Sequence, residues 1–173
     1  MNGLGRTFLI YGASRGLGKA IVNLVPEAQD KVYGVSRSIP KNNAQLNWIC
    51  ADLSTPEEAV DKVKKAVKDE KIDVLIYNVG IWENNAFTEN YNFEEVSSAE
   101  LNTILNTNIN TSIQSLQSLI ENLKLSDNAK VILIGSTWDV DNHNGKELVF
   151  SATKYALRGI AQSLREILRN DLI

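Results

Sequence analysis

The sequence predicts an α/β domain in which a doubly wound parallel sheet is covered by helices, giving three layers. Short apolar runs of strand length alternate with longer segments whose apolar residues recur every three or four positions. The first such run opens directly into a glycine-rich turn and then a helical segment. No linker, repeat or low-complexity tract interrupts this alternation, and the 19 asparagines are scattered along the chain, so residues 1–173 read as one domain.

The strands follow in order at Thr7–Tyr11, Lys31–Ser36, Asn47–Cys50, Ile72–Tyr77 and Lys130–Ile134. The helix after the first strand begins at Lys19-Ala20-Ile21-Val22. The helix after the third strand has the clearest start: Thr55 can cap it, Pro56 suits the first helical position, and Glu58 can close a capping box. Its apolar face follows at Ala59, Val60, Val63, Ala66 and Val67. One long helix is expected from about Ser98 to Lys124, with a stripe at Ile109, Ile113, Leu116, Ile120 and Leu123. The last helix carries Phe150, Leu157, Ile160, Leu164 and Ile167. The segments Ile81–Asn92 and Thr137–Lys146 are polar and long for connections, which marks them as places for binding surfaces.

Composition narrows the function classes. A chain of 173 residues, 43% hydrophobic and 23% charged, buries roughly 68–70% of its unfolded surface on folding and needs no staple. The single cysteine, Cys50, cannot form an internal bridge, and no Cys/His cluster suggests a metal. A net charge of −3, from 18 basic and 21 acidic residues, gives no basic field for nucleic acid. The longest apolar runs, Val74–Tyr77 and Val131–Ile134, fall far short of the ~20 residues of a membrane span. Phe8–Tyr11 is too short for a signal-peptide core and runs straight into glycines, so the expected location is cytoplasmic.

The first strand ends in Gly12-Ala13-Ser14-Arg15-Gly16-Leu17-Gly18. Glycines there let the backbone turn sharply and approach a pyrophosphate, whose charge the amide-rich helix start stabilises. The residues after the second strand select the dinucleotide: a carboxylate would hold the ribose hydroxyls of NAD, whereas a cation suits the 2′-phosphate of NADP. The chain offers Ser36-Arg37-Ser38, and Arg15 can approach the same phosphate, so NADP(H) is the expected cofactor.

These residues make the chain resemble the short-chain dehydrogenase/reductase family over its whole length. The glycine turn is similar to that family's T-G-x-x-x-G-x-G, with Tyr11 in place of the threonine. Asp52-Leu53 matches the adenine-contacting position. Tyr77-Asn78-Val79-Gly80 resembles its N-N-A-G turn, with Tyr77 and Val79 as departures. Asn108, Ser136 and Lys154 fall where the family keeps an active-site asparagine, a substrate-orienting serine and a ribose-anchoring lysine. The resemblance implies a Rossmann-type sheet of strand order 3-2-1-4-5, with NADP(H) across the carboxyl ends of strands 1 and 4. It further implies carbonyl/alcohol oxidoreduction on a small molecule, with Asn108 ordering a water relay, and a homo-oligomer.

Phe150 stands where the family has its proton-donating tyrosine, fourteen residues after Ser136 and four before Lys154. Phenylalanine cannot exchange a proton, and Tyr155 points about 100° away from the Lys154 face of a helix. The missing general acid predicts weakened activity, since such catalysis contributes roughly 10²–10⁴-fold. A substitute donor would have to come from Asp139, Asp141 or His143. The resemblance also implies two further strands after the last helix, so the chain reads as a fragment or a short form whose substrate pocket is open on one side. The alternative reading is a catalytically silent NADP(H)-binding sensor or assembly protein. A flavodoxin-like receiver would leave the glycine turn and Arg37 unexplained. The apolar breadth of Leu116, Leu119, Ile120 and Leu123 exceeds one sheet-facing stripe and supports oligomerisation through this helix and the last one.

Overall fold

The computed structural model describes residues 5–40, 46–137 and 145–168. Five strands, β1 (Thr7–Tyr11), β2 (Lys31–Ser36), β3 (Asn47–Cys50), β4 (Val74–Tyr77) and β5 (Lys130–Leu133), form one sheet in the order β3-β2-β1-β4-β5. Every neighbouring pair is parallel, as a sheet threaded by helical crossovers must be. Tyr11 lies opposite Val35 on one side and Tyr77 on the other, so the central strands end level. The chain leaves β1 towards β2 and later returns to its other side as β4, which opens a crevice beyond the carboxyl ends of these strands.

The strands predicted from Ile72 and to Ile134 are shorter than expected at those ends. Ile72 is fully buried but its amide bonds the Asn122 carbonyl, and the Ile134 amide bonds the Tyr77 carbonyl just past the end of β5.

The helices are α1 (Gly16–Leu24), α2 (Pro56–Val67), α3 (Ser98–Leu105), α4 (Thr111–Lys124) and α5 (Leu148–Ile167). On one face of the sheet, Leu9, Tyr11, Val35, Leu75 and Tyr77 pack against Ala59, Val63 and Val67 of α2 and Leu116, Leu119 and Leu123 of α4, with Ile160 and Leu164 of α5 alongside. On the other, Phe8, Ile10, Val32 and Ile76 pack against Ile21 and Val22 of α1 and against Trp48. Burying apolar area on both faces is what makes the strands near-continuous hydrophobic runs.

Five sequence expectations need correction. Thr55 does not cap α2 with its side chain, because its hydroxyl donates to the Asp52 carbonyl instead, and Ala66 is exposed. The helix expected over Ser98–Lys124 is interrupted by a π turn at Asn106–Asn110, where an extra residue widens the backbone. Within and just after this stretch, polar side chains reach outside the helix, Asn106 to the Ser54 carbonyl and Thr111 to the Leu53 carbonyl. After that turn the buried face of α4 is Ser112, Ser115, Leu116, Leu119 and Leu123, while Ile113 is exposed. Leu116, Leu119 and Leu123 are thus consumed by this chain's own core, and their breadth does not indicate a partner. No helix of the described residues is long and apolar enough to cross a membrane.

Candidate active site

The turn after β1 closes tightly on the turn after β4. Gly12 has a left-handed backbone, φ +73°, and a Cβ there would lie 2.2 Å from the Asn78 carbonyl oxygen. Gly18 sits behind it, where a Cβ would fall 2.1 Å from the Gly12 carbonyl oxygen. Side chains at either position would separate α1 from the strand ends. α1 therefore starts directly at the crevice, with Arg15 in extended conformation before it and no acidic residue in its first turn. Unpaired amides and the helix dipole make such a start attractive to anions.

The crevice is a cleft of about 750 Å³. Gly12, Ser14, Arg15, Gly16 and Leu17 line it from the first turn, and Ser36 and Arg37 from the end of β2. Asp52 and Leu53 follow from the end of β3, Asn78, Val79 and Gly80 from the end of β4, and Ser136, Phe150 and Lys154 from β5 and α5. Of the residues singled out in the sequence, Gly18 and Asn108 do not line it, since both act from behind its wall. Asp139, Asp141 and His143 lie outside the described residues.

At the β2–β3 end, the Ser36 hydroxyl donates to the Ser38 carbonyl, which shapes the turn that presents Arg37. The Asp52 carboxylate accepts from the Ser54 amide at 3.0 Å and the Ser54 hydroxyl at 2.9 Å. These bonds, with the Arg37 charge nearby, hold the Asp52 carboxyl below its ordinary value despite partial burial.

At the α5 end the polar groups are locked by one another. The Asn108 carbonyl oxygen accepts from the Ile81 amide at 2.9 Å, and its amide donates to the Ile81 carbonyl at 2.8 Å and to the Thr153 hydroxyl at 2.9 Å. Thr153 in turn donates to the Phe150 carbonyl. Asn108 thus ties the segment after β4 to α5, and the π turn is what aims it there. The Lys154 ammonium, almost fully buried, donates to the carbonyls of Val79 and Ile134, both at 3.1 Å, which spans the carboxyl ends of β4 and β5. It also lies 5.6 Å from the Phe150 ring centre.

Phe150 is buried in a cluster of three rings. Trp82 meets Phe150 at 5.9 Å and Phe87 at 5.7 Å, and Phe87 meets Phe150 at 5.6 Å, all edge to face. Tyr155 is 45% exposed and off this face.

Glu83, 1% exposed, holds the amino end of α5. Its carboxylate accepts from the Val149 amide at 2.7 Å, the Phe150 amide at 3.2 Å and the Tyr91 hydroxyl at 3.1 Å. A buried anion at a helix start is stabilised by the same amides that need acceptors. Burial and the Glu83 charge push the Tyr91 phenol up, which keeps it a donor. The Phe87 amide bonds the Lys146 carbonyl, and the Lys146 ammonium pairs with Glu89.

The two tyrosines that depart from the resembled pattern form a matched pair. Tyr11 and Tyr77 are fully buried with ring centres 5.0 Å apart, and the Tyr77 hydroxyl donates to the Thr107 carbonyl in the π turn at 2.7 Å.

The family model for short chain dehydrogenases matches residues 6–173. The chain belongs to the short-chain dehydrogenase family. Among its relatives, the 3-oxoacyl-acyl-carrier-protein reductase FabG of Vibrio cholerae is 27% identical over 177 residues, covering 96% of this chain and 69% of that protein. A short chain dehydrogenase family protein of Francisella tularensis has a TM-score of 0.84 at 22% identity, covering 96% of this chain and 65% of that one. NADH-dependent reductase A1-R′ complexed with NAD gives 0.86 at 22% identity, and a metagenomic short-chain oxidoreductase in complex with NADP gives 0.84 at 20%. They cover 98% of this chain, which spans 75% and 78% of theirs. This family member therefore spans about two thirds to three quarters of the length of these relatives.

Sequence reasoning marked Ile81–Asn92 as a binding segment but named none of its residues. Trp82 was open to notice as a large aromatic in a polar stretch. Nothing local distinguishes Glu83 from any solvated loop acid, since the two α5 amides that it accepts are more than sixty positions away.

Proposed function

We propose that the chain binds NADP(H) in the cleft and supports oxidoreduction of a carbonyl/alcohol pair on a small molecule, at a rate limited by Phe150. The observation that carries this reading is the one cleft that joins the glycine turn, Arg15 and Arg37 at one end to Lys154, Ser136 and Phe150 at the other. The residues fit a dinucleotide: glycines leave room for a pyrophosphate at the start of α1, and guanidinium groups suit a 2′-phosphate through charge-assisted bonds. Asp52 and Leu53 would border the adenine, and Asn78, Val79 and Gly80 the nicotinamide half, with Lys154 at its ribose. When bound, the nicotinamide supplies or accepts the hydride exchanged with the substrate carbon. Ser136 would hold the substrate oxygen. Asn108 would order a water relay by fixing Ile81 and α5, to which its side chain bonds. The reading includes a cytoplasmic protein that assembles as a homo-oligomer.

A second reading, a silent NADP(H)-binding protein, draws on a specific observation: the Phe150 ring fills its place with aromatic contacts and presents no oxygen. One assay separates them. NADPH consumption with a panel of small ketones and aldehydes is compared for the native chain and Phe150→Tyr, with NADPH affinity measured alongside. The new phenol would lie near the Lys154 ammonium, which lowers its pKa and favours proton exchange. An increase of an order of magnitude or more is expected. Unchanged turnover with intact NADPH binding would give the silent reading first place.

A further inference from the structure

The cleft is chemically two-ended. Arg15 and Arg37 stand at the glycine-turn end, whereas around Lys154 the wall is made by Ile81, Trp82 and Phe150. The described residues that line this inner end include no carboxylate and no guanidinium, and the Lys154 ammonium is already directed at two backbone carbonyls. An anionic substrate group would find no dedicated partner among them. Trp82 remains 55% exposed although it is the largest side chain of the wall.

Its orientation is set by its surroundings. The edges and faces of Phe87 and Phe150 hold it from two sides. The next residue, Glu83, is fastened to the α5 amides, and Phe87 keeps a left-handed backbone, φ 67°, with its amide on the Lys146 carbonyl. A non-glycine residue held in that conformation indicates a segment determined by its surroundings, and such strain clusters at binding sites. A ring fixed in advance at the mouth of a cleft lowers the ordering cost of whatever stacks on it.

We propose that the inner end takes a flat aromatic carbonyl compound, with its ring packed against Trp82 and its oxygen towards Ser136. The proposal deepens the oxidoreductase reading by naming its substrate class. An aromatic ring gains from the indole both area burial and the quadrupole preference for offset or edge contact, and a saturated ring of equal size gains only the first.

The test uses the full chain with ¹⁵N-labelled tryptophan. The indole N–H signal of Trp82 is assigned from its loss in Trp82→Phe, and acetophenone and cyclohexyl methyl ketone are titrated against it without nucleotide. Acetophenone is expected to shift that signal and to bind several-fold to about tenfold more tightly than the saturated ketone. In the variants, which lack that indole signal, affinities for both ketones are read from broadening of the ketone's own proton signals; Trp82→Leu, which keeps apolar bulk without the ring, should abolish the preference, and Trp82→Phe should keep most of it. Equal affinity for the two ketones in the native chain overturns the proposal even where a variant fails to fold, as does a preference that survives Trp82→Leu. NADPH fluorescence titration of the same samples keeps the outcomes apart: absent NADPH binding sinks the oxidoreductase reading, while the ketone comparison still decides the aromatic site.

Discussion

Glu83 shows how one residue can govern a site it does not line. Its carboxylate accepts two first-turn amides of α5 and the Tyr91 hydroxyl, so it joins the segment carrying Trp82 to the helix carrying Phe150 and Lys154. Removing it leaves buried donors without acceptors, which costs about 1–3 kcal/mol. For a chain of this length that corresponds to a fall in Tm of roughly 2–12 °C, at about 2–4 °C per kcal/mol. Thermal unfolding of Glu83→Ala measures this directly, and a midpoint equal to the native one would contradict the capping role. Tyr11 and Tyr77 make the same point from the core. Both stand where the family pattern has small polar residues, and they are tolerated because each fills the space beside the other and Tyr77 finds an acceptor at Thr107.

Among the elements, the strand ends opposite the cleft are held together by Asp73. Its carboxylate accepts from the Ser126 hydroxyl at 2.6 Å and the Thr7 amide at 2.8 Å and pairs with Lys71 at 2.9 Å, which links β1, β4 and the approach to β5. Burial opposes its ionisation, but these bonds outweigh burial and hold the carboxyl below its usual value. A depressed folded pKa means that the stabilisation is complete above the ordinary aspartate value of about 3.9 and is lost as pH falls through the lower, folded one. Melting the native chain and Asp73→Asn between pH 7 and 3 should therefore give a gap that is full at neutral pH and narrows below about pH 4. A gap constant over that range would contradict the assignment.

The elements also show what a sequence can carry. β1 and β2 keep their predicted bounds because these largely buried parallel strands are bounded by glycine or charge on both sides, and the predicted bounds of β3 hold as well. The π turn was not legible, since Asn106–Thr111 reads as ordinary polar helix and its reason is the distant partners Ile81, Thr153, Ser54 and Leu53. Cleft residues sitting at strand ends were legible because turn chemistry is local. Glu83 and the three-ring cluster depend on contacts between segments far apart in sequence, which periodicity does not encode.

For the molecule as a whole, Leu116, Leu119 and Leu123 no longer argue for assembly, but other apolar side chains remain exposed on α3, α4 and α5. Leu105, Ile113, Tyr155 and Ile167 are each at least 41% exposed. They are the residues that the interface of the proposed homo-oligomer would cover. Light scattering at micromolar concentration is expected to give a multiple of the 19.2 kDa chain mass, and a monomer mass would refute the homo-oligomer.

The proposed preference for NADP(H) requires the cleft to hold a dinucleotide by its 2′-phosphate. Fluorescence titration with NADPH and NADH tests it, on the native chain and on Arg37→Asp. The native chain should bind NADPH more tightly, and the variant should reverse that order, because a carboxylate repels the phosphate and can accept from a ribose hydroxyl. Equal affinity of the native chain for both nucleotides would contradict the proposed preference.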